Sequence, residues 1–379
     1  MGKRIDKQEI DLLIVGAGPV GCTIAERAAQ VKGWKSLIID KREHIAGNCH
    51  DCINSHGQLV HKYGPHYFRT SYEDVFRYLS KFTSWIPGNY IVKTSVRNKL
   101  YPIPINLSTL EKYFNQELDE DTALKLLHSL RVHKENPKNS EEFILSRLGK
   151  ELYEDFYLGY TLKQWDIHPK DLDPSVCGRV PIRLNRDESY VNATHQVMPK
   201  DGFTKMFSRM IESKNIFFKG NTNFEDLKKT IIPKIATVYT GPVDEYFNYC
   251  LGRLPWRSLQ FEWKTYKEKL VQPCVQINYP NDHKYTRSVE IKHVTKQNIN
   301  TSTVSYEYPQ SVGDPYYPVP QPASSELYLK YKQLAEETSH KDKVYFVGRL
   351  AEYTYINTDE AIKKGLDAFQ KIANSNGID

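Results

Sequence analysis

Val15-Gly16-Ala17-Gly18-Pro19-Val20-Gly21 follows the apolar run that begins at Leu12, and a helical pattern continues from Thr23 to Gln30. A second apolar run, Ser36 to Ile39, ends at Asp40. Strand, glycine turn, helix, strand and terminal acid together make the dinucleotide-binding fingerprint. Gly16 permits the tight turn, and Gly18 lets a pyrophosphate approach a helix N-terminus, where free N–H groups favour anions. Gly21 allows the helix to pack closely on the strand, and Asp40 can accept a ribose hydroxyl. The fold class expected is therefore α/β, with a Rossmann-type nucleotide-binding unit at its start.

The pattern continues outward from this unit. Residues 73–82, 108–116 and 119–153 read as helices, with Ser140 at a helix N-cap and acids just after it. Residues 90–105 alternate like strands, and the prolines of Tyr101-Pro102-Ile103-Pro104 limit any strand there to a sheet edge. Residues 165–176 carry two prolines and read as a loop. Helix returns at 203–213 and strand at 233–240, and 258–308 holds several alternating strands. A helix at 325–338, a short buried strand at 344–348 and a helix at 359–373 close the chain. Gly348-Arg349, between the last strand and helix, makes a second anion-facing turn.

The bulk numbers suit a folded globular protein of modest charge. The chain has 379 residues, 26% of them charged, and a net charge of +6. That charge is too small to argue for nucleic acid and suits an anionic small molecule. No segment approaches the ~18 uninterrupted apolar residues of a membrane span. The first ten residues are polar and show no signal peptide, so a cytoplasmic location is expected. Among six cysteines only Cys49 and Cys52 form a CxxC, and no second pair completes a zinc site. The 26 tyrosines are unusual; some of these rings and hydroxyls would serve sugars and phosphates.

Several stretches in this order are similar to the flavin-dependent UDP-galactopyranose mutases, over residues 11 to about 370. They are Tyr63-Gly-Pro-His66, Gly159-Tyr160-Thr-Leu-Lys-Gln-Trp165, Arg179-Val-Pro-Ile-Arg183-Leu-Asn-Arg-Asp187 and Met198-Pro-Lys-Asp-Gly202-Phe-Thr204. Thr240-Gly-Pro-Val-Asp244, Arg257-Ser-Leu-Gln-Phe-Glu262, Tyr285-Thr-Arg287, Asp314-Pro-Tyr-Tyr-Pro318 and Gly348-Arg-Leu-Ala-Glu-Tyr-Thr-Tyr355 follow. The resemblance implies a Rossmann-type FAD domain over 11–75, 230–255 and 340–379, after a leader over 1–10. It implies a helical substrate and uridine domain over 106–175 with a mobile loop, and a β-sheet substrate domain over 76–105, 176–229 and 256–339.

It also implies the chemistry. Reduced FAD attacks the anomeric carbon of a nucleotide-linked sugar through N5 and displaces the diphosphate. The sugar–flavin adduct opens, and the ring recloses through another hydroxyl, converting pyranose to furanose. The cofactor carries the hard step while the protein supplies position and electrostatics. Partners implied are a nucleotide-diphosphate sugar, an electron donor for the flavin and a second copy of the chain, with no metal. The product would serve surface polysaccharide.

Residue by residue, Arg179 and Arg287 match the diphosphate-binding arginines, with Arg257 as a further arginine. Phe156, Tyr160 and Trp165 match the uracil pocket, the first two expected on one helical face. Tyr190, Tyr355 and one of Tyr316 or Tyr317 match phosphate-contacting tyrosines. Gly16, Gly18, Gly21, Asp40, Gly47, Asn48, His66, Thr240, Gly241, Gly348 and Arg349 match the cofactor site, and Arg349 would favour an anionic reduced flavin. Arg179, Arg287, Arg349 and Tyr355 are the catalytic set.

Three positions depart from the family pattern. Ala46 replaces one of a paired glycine. Arg69 stands for a histidine, and Asn357 for an aspartate near the sugar; together they raise the local charge by about two, counting a neutral histidine. This points to a sugar other than plain galactose, such as N-acetylgalactosamine or a deoxy sugar. Two alternatives have distinct signatures. An amine-oxidase-like flavoenzyme would consume oxygen. A non-catalytic nucleotide-sugar binder that had lost its flavin would not be yellow.

Overall fold

The computed structural model describes residues 10–375. The leader expected over 1–10 lies outside them except for Ile10, which is buried against Leu13, Leu37 and Ile39.

Leu12–Val15 is the central strand of a five-stranded parallel sheet. Ser36–Ile39 lies on one side of it and Ala236–Tyr239 on the other, with Ile216–Lys219 and Val344–Phe346 at the edges. Both faces of the central strands are covered, so they read as continuous apolar runs rather than alternating ones. The last helix, Thr358–Ser375, packs across the fingerprint helix, Pro19–Lys32. A Cβ at Gly365 would lie 2.9 Å from the Thr23 Cβ, so glycine lets these helices approach. The edge strand Ile216–Lys219 falls within the 176–229 segment assigned above to the sheet domain. It pairs with Ser36–Ile39 instead, because its apolar residues complete the parallel layer.

A second sheet of seven strands is built largely from 256–318, with Val92–Val96 and Lys99–Ile103 closing one end. The proline-bearing strand is at that edge, as its missing N–H donors require. A small third sheet pairs His195–Pro199 with Phe68–Thr70 and Trp85–Pro87. The helices of 107–165 pack beside the second sheet in the largest core cluster.

Two local expectations change. The cap of helix Ser140–Tyr153 is Asn139, whose side chain accepts from the Glu142 N–H at 2.8 Å, so Ser140 is already inside the helix. The stretch 165–176 is not plain loop: a 3-10 turn at Pro169–Asp171 and a helix at Pro174–Gly178 each begin on proline. Proline suits that first position, where its missing N–H has no intrahelical partner to lose.

Candidate active site

The glycine turn is built for an anion. Gly16 has φ +107, and a Cβ there would lie 2.0 Å from Thr240 Oγ1, so only glycine fits. Thr240 in turn donates to the Val15 carbonyl at 2.8 Å and locks the turn from the neighbouring strand. A Cβ at Gly21 would lie 2.0 Å from the Gly16 carbonyl oxygen. The helix that follows has Gly18 as its N-cap, with no side-chain cap and no acid in its first turn. Its first N–H groups and positive dipole end are thus left for a phosphate.

Asp40 accepts from Ala17 N–H at 2.8 Å and from Arg42 N–H at 2.9 Å. These bonds fix the carboxylate at the strand end and leave it lone pairs for a ribose. Gly47 and Asn48 close over the turn: the Ala46 N–H donates to Ala17 O at 2.8 Å, and Asn48 accepts from Arg42 Nη1 at 2.9 Å. Ala46 holds φ +74, so the residue replacing a glycine keeps the glycine's backbone. Tyr239 and Gly241 border the same strand end, where a Cβ on Gly241 would meet the Tyr239 ring at 2.9 Å. This cradle and acid fit a dinucleotide.

Across from this turn, arginines and tyrosines converge. Tyr317 and Tyr355 stack with ring centroids 5.9 Å apart, and Trp165 meets Tyr317 edge-on at 6.3 Å. The Arg179 guanidinium lies 3.8 Å from the centroid of Tyr355, and that of Arg349 4.7 Å from it. Arg287 Nη2 donates to Tyr317 Oη at 3.1 Å. Arg179 sits just past the helix Pro174–Gly178, so the proline-bounded segment delivers it to the site. Arg349 is held by the backbone carbonyls of Tyr316 and Ile356. Gly348, at φ +104, turns the chain to place it there.

Burial alone would raise the Tyr355 phenol, but Arg179 and Arg349, with Arg69 beyond them, outweigh it and bring the pKa down to about 8. Tyr160 is raised by burial, which Arg287 only partly offsets, so it remains a phenol. Tyr190 lies close enough to Arg179 to act on its charge.

His66 lies where the Tyr63–His66 stretch passes the site. Its Nδ1 is 3.0 Å from the Gly64 carbonyl, so Nδ1 carries the proton and Nε2 is an acceptor. Burial lowers its pKa to about 3, helped by His61, Arg349 and Arg287, so it is neutral. Arg69 Nη2 donates to Asn357 Oδ1 at 3.1 Å. The two departures from the family pattern on the sugar side are therefore one contact. Asn357 also starts the last helix, its N–H donating to Glu360 at 2.7 Å.

Three expected site residues are placed differently. Phe156 is buried in the core, edge-on to Tyr101 and Tyr113, each at 5.5 Å. A π-helical turn at Glu154–Leu158 precedes helix Gly159–Trp165 and interrupts the α-helical spacing there. Tyr157 instead lies within electrostatic reach of Tyr190. Arg257 is buried and caps the end of that helix: its Nε donates to Gln164 O at 2.9 Å, and other N–H groups reach Lys163 O and Ser311. It therefore braces the end of the helix that carries Trp165. Tyr316 turns into the core beside Phe261, leaving Tyr317 as the site tyrosine.

Glu307, fully buried behind Arg287 at 2.6 Å, was not anticipated. Cys49 is buried and Cys52 exposed, both as free thiols, and no group of three or more candidate metal ligands occurs among the described residues.

The chain is similar to known proteins over nearly its whole length. A family model described as UDP-galactopyranose mutase matches residues 155–355, and one for an NAD(P)-binding Rossmann-like domain matches 14–82. The chain is 36% identical over 380 residues to a probable UDP-galactopyranose mutase of Klebsiella pneumoniae, covering 96% of each. It is 33% identical to a dTDP-fucopyranose mutase of Escherichia coli, covering 96% of this chain and 99% of that one. It is 32% identical to a UDP-galactopyranose mutase of Mycoplasma pneumoniae, covering 96% of each. A crystal structure of reduced UDP-galactopyranose mutase superposes with a TM-score of 0.77 at 17% identity, over 97% of this chain and 94% of that one.

Proposed function

This chain belongs to the UDP-galactopyranose mutase family, an isomerase family, and from that premise we propose that it interconverts the pyranose and furanose forms of a nucleotide-linked sugar with reduced FAD. The observation that carries the reading is the convergence of Arg179, Arg287 and Arg349 on the stacked pair Tyr317 and Tyr355. A departing nucleoside diphosphate concentrates negative charge, and guanidinium forks meet it with paired, charge-assisted bonds. The phenols of Tyr190, Tyr317 and Tyr355 donate to the remaining phosphate oxygens, and Tyr160 and Trp165 take the base.

Gly16, Gly18, Gly21 and Asp40 hold the adenosine and pyrophosphate end of FAD. Gly47, Asn48, His66, Thr240, Gly241, Gly348 and Arg349 line its path. When bound and reduced, the flavin supplies the nucleophile that takes over the anomeric carbon. Arg349 and Arg179 stabilise the charge that moves onto the diphosphate as its bond to the sugar breaks. The same reading includes a cytoplasmic homodimer, an external electron donor and a product used in surface polysaccharide. No described helix is long and apolar enough to cross a membrane.

The sugar is the finer part. Arg69 bound to Asn357 places a cation and an amide where the family pattern has a histidine and a carboxylate. A substituent that accepts hydrogen bonds, or a ring lacking a hydroxyl, suits that pair better than plain galactose. The dTDP-fucopyranose mutase among the relatives is in keeping with such variation. The reduced protein is to be assayed with UDP-galactose, UDP-N-acetylgalactosamine and dTDP-fucose side by side. Preference for one of the last two is expected; far better turnover of UDP-galactose refutes the sugar assignment.

A further inference from the structure

Glu307 stands directly opposite Arg287 in the antiparallel pairing of Arg287–Val289 with Ser302–Gln310. It is fully buried. One carboxylate oxygen accepts from Arg287 Nε at 2.6 Å, while the other, Oε1, is buried with no hydrogen-bond partner. A Cβ on Gly64 would lie 3.6 Å from Oε1, so that oxygen faces the Tyr63–His66 stretch. Arg287 also donates to Tyr317 Oη through Nη2 at 3.1 Å.

A buried carboxylate beside a site for a dianion is costly twice. It is desolvated, and it repels the ligand. Its presence needs a gain that exceeds both, and the geometry supplies one. The Nε bond to Glu307 holds the guanidinium at one donor while Nη2 donates to Tyr317. The Nη edge is then fixed toward the tyrosine pair without having to be ordered by the ligand. Arg287 is held well on the charged side by this partner, although burial opposes it.

Resting on the mutase reading above, we propose that Glu307 is the positioning residue for Arg287, aiming its Nη edge at the nucleotide diphosphate. It acts through Arg287 and touches no substrate.

The test is UDP binding to the flavin-loaded protein by calorimetry, together with kcat and KM. Glu307→Gln is nearly isosteric and removes the charge. Positioning predicts UDP binding about tenfold weaker and a lowered kcat, because the charge-assisted grip is lost. A bare counter-charge predicts the reverse, tighter UDP binding as a repelling carboxylate disappears, and that result overturns the proposal. So does unchanged affinity with only a lower melting temperature. In an Arg287→Gln background the effect of Glu307→Gln on UDP affinity should vanish; an equal effect there also overturns it. Should the Gln variant fail to fold, Glu307→Asp carries the test. It keeps the charge but shortens the reach, so positioning predicts weakened binding, and wild-type affinity refutes it. A wild-type protein that binds neither UDP nor dTDP instead refutes the mutase reading itself.

Discussion

Tyr355 gives the account a pH signature. Its phenol sits beneath Arg179 at 3.8 Å and near Arg349 at 4.7 Å, and their charges bring it to about 8 against the opposing effect of burial. Such a group is about 90% protonated at pH 7 and about 10% at pH 9. The neutral phenol donates to a diphosphate oxygen, whereas the phenolate repels the diphosphate and competes for the same two arginines. Substrate binding therefore favours the protonated form, and affinity falls as pH rises through 8. If only the phenol form binds, kcat/KM falls about tenfold between pH 7 and pH 9. Tyr355→Phe removes the titrating group. At pH 7 it loses one hydrogen bond to a charged group, about 1.5–3 kcal/mol, and its profile over the same range should be flat. The assay is kcat/KM against pH for both proteins at constant ionic strength. A flat wild-type profile, or the same falling limb in the Phe variant, refutes the reasoning.

Gly16→Ala places a methyl 2.0 Å from Thr240 Oγ1 at a backbone of φ +107. Loss of the Thr240 bond and the backbone strain together cost about 2–3 kcal/mol, so melting temperature and bound flavin should both fall; unchanged flavin content contradicts the fit. Arg179→Ala should abolish turnover while the bound flavin spectrum stays intact, and loss of flavin would mean that this arginine serves the cofactor. Arg257→Met removes the cap from helix Gly159–Trp165, so thermal stability should fall by about 1–3 kcal/mol. Equal stability with lost UDP affinity would restore Arg257 to the substrate site.

The nucleotide-binding half was legible because its glycines are tied to backbone geometry. Gly16 and Gly21 have no room for a Cβ, and the acid at 40 ends a strand whose apolar run is visible in sequence. The proline edge strand was legible for the same kind of local reason. What stayed hidden depends on register or helix phase. The π-helical turn at 154–158 departs from α-helical spacing, which the sequence pattern does not show, and Phe156 within it lies in the core. Arg257 caps a helix that ends 92 positions earlier, at Trp165, a partnership no local pattern announces. Glu307 is separated from Arg287 by 20 positions, and only the strand register brings them face to face. An acid between Tyr306 and Tyr308 in an alternating strand was the one available hint. Tyr316 and Tyr317 could not be told apart because neighbouring strand residues point to opposite faces, and the sequence does not say which face holds the site.

The most direct measurement is the ring form of the product. Oxidised and dithionite-reduced protein are incubated with the three sugar nucleotides without other reactants, the products are resolved by chromatography and NMR, and oxygen is followed in a parallel aerobic sample. The expected result is a furanose nucleotide sugar from the reduced protein alone, with no oxygen consumption coupled to sugar turnover. No furanose from any of the three, or the same yield from oxidised protein, contradicts it.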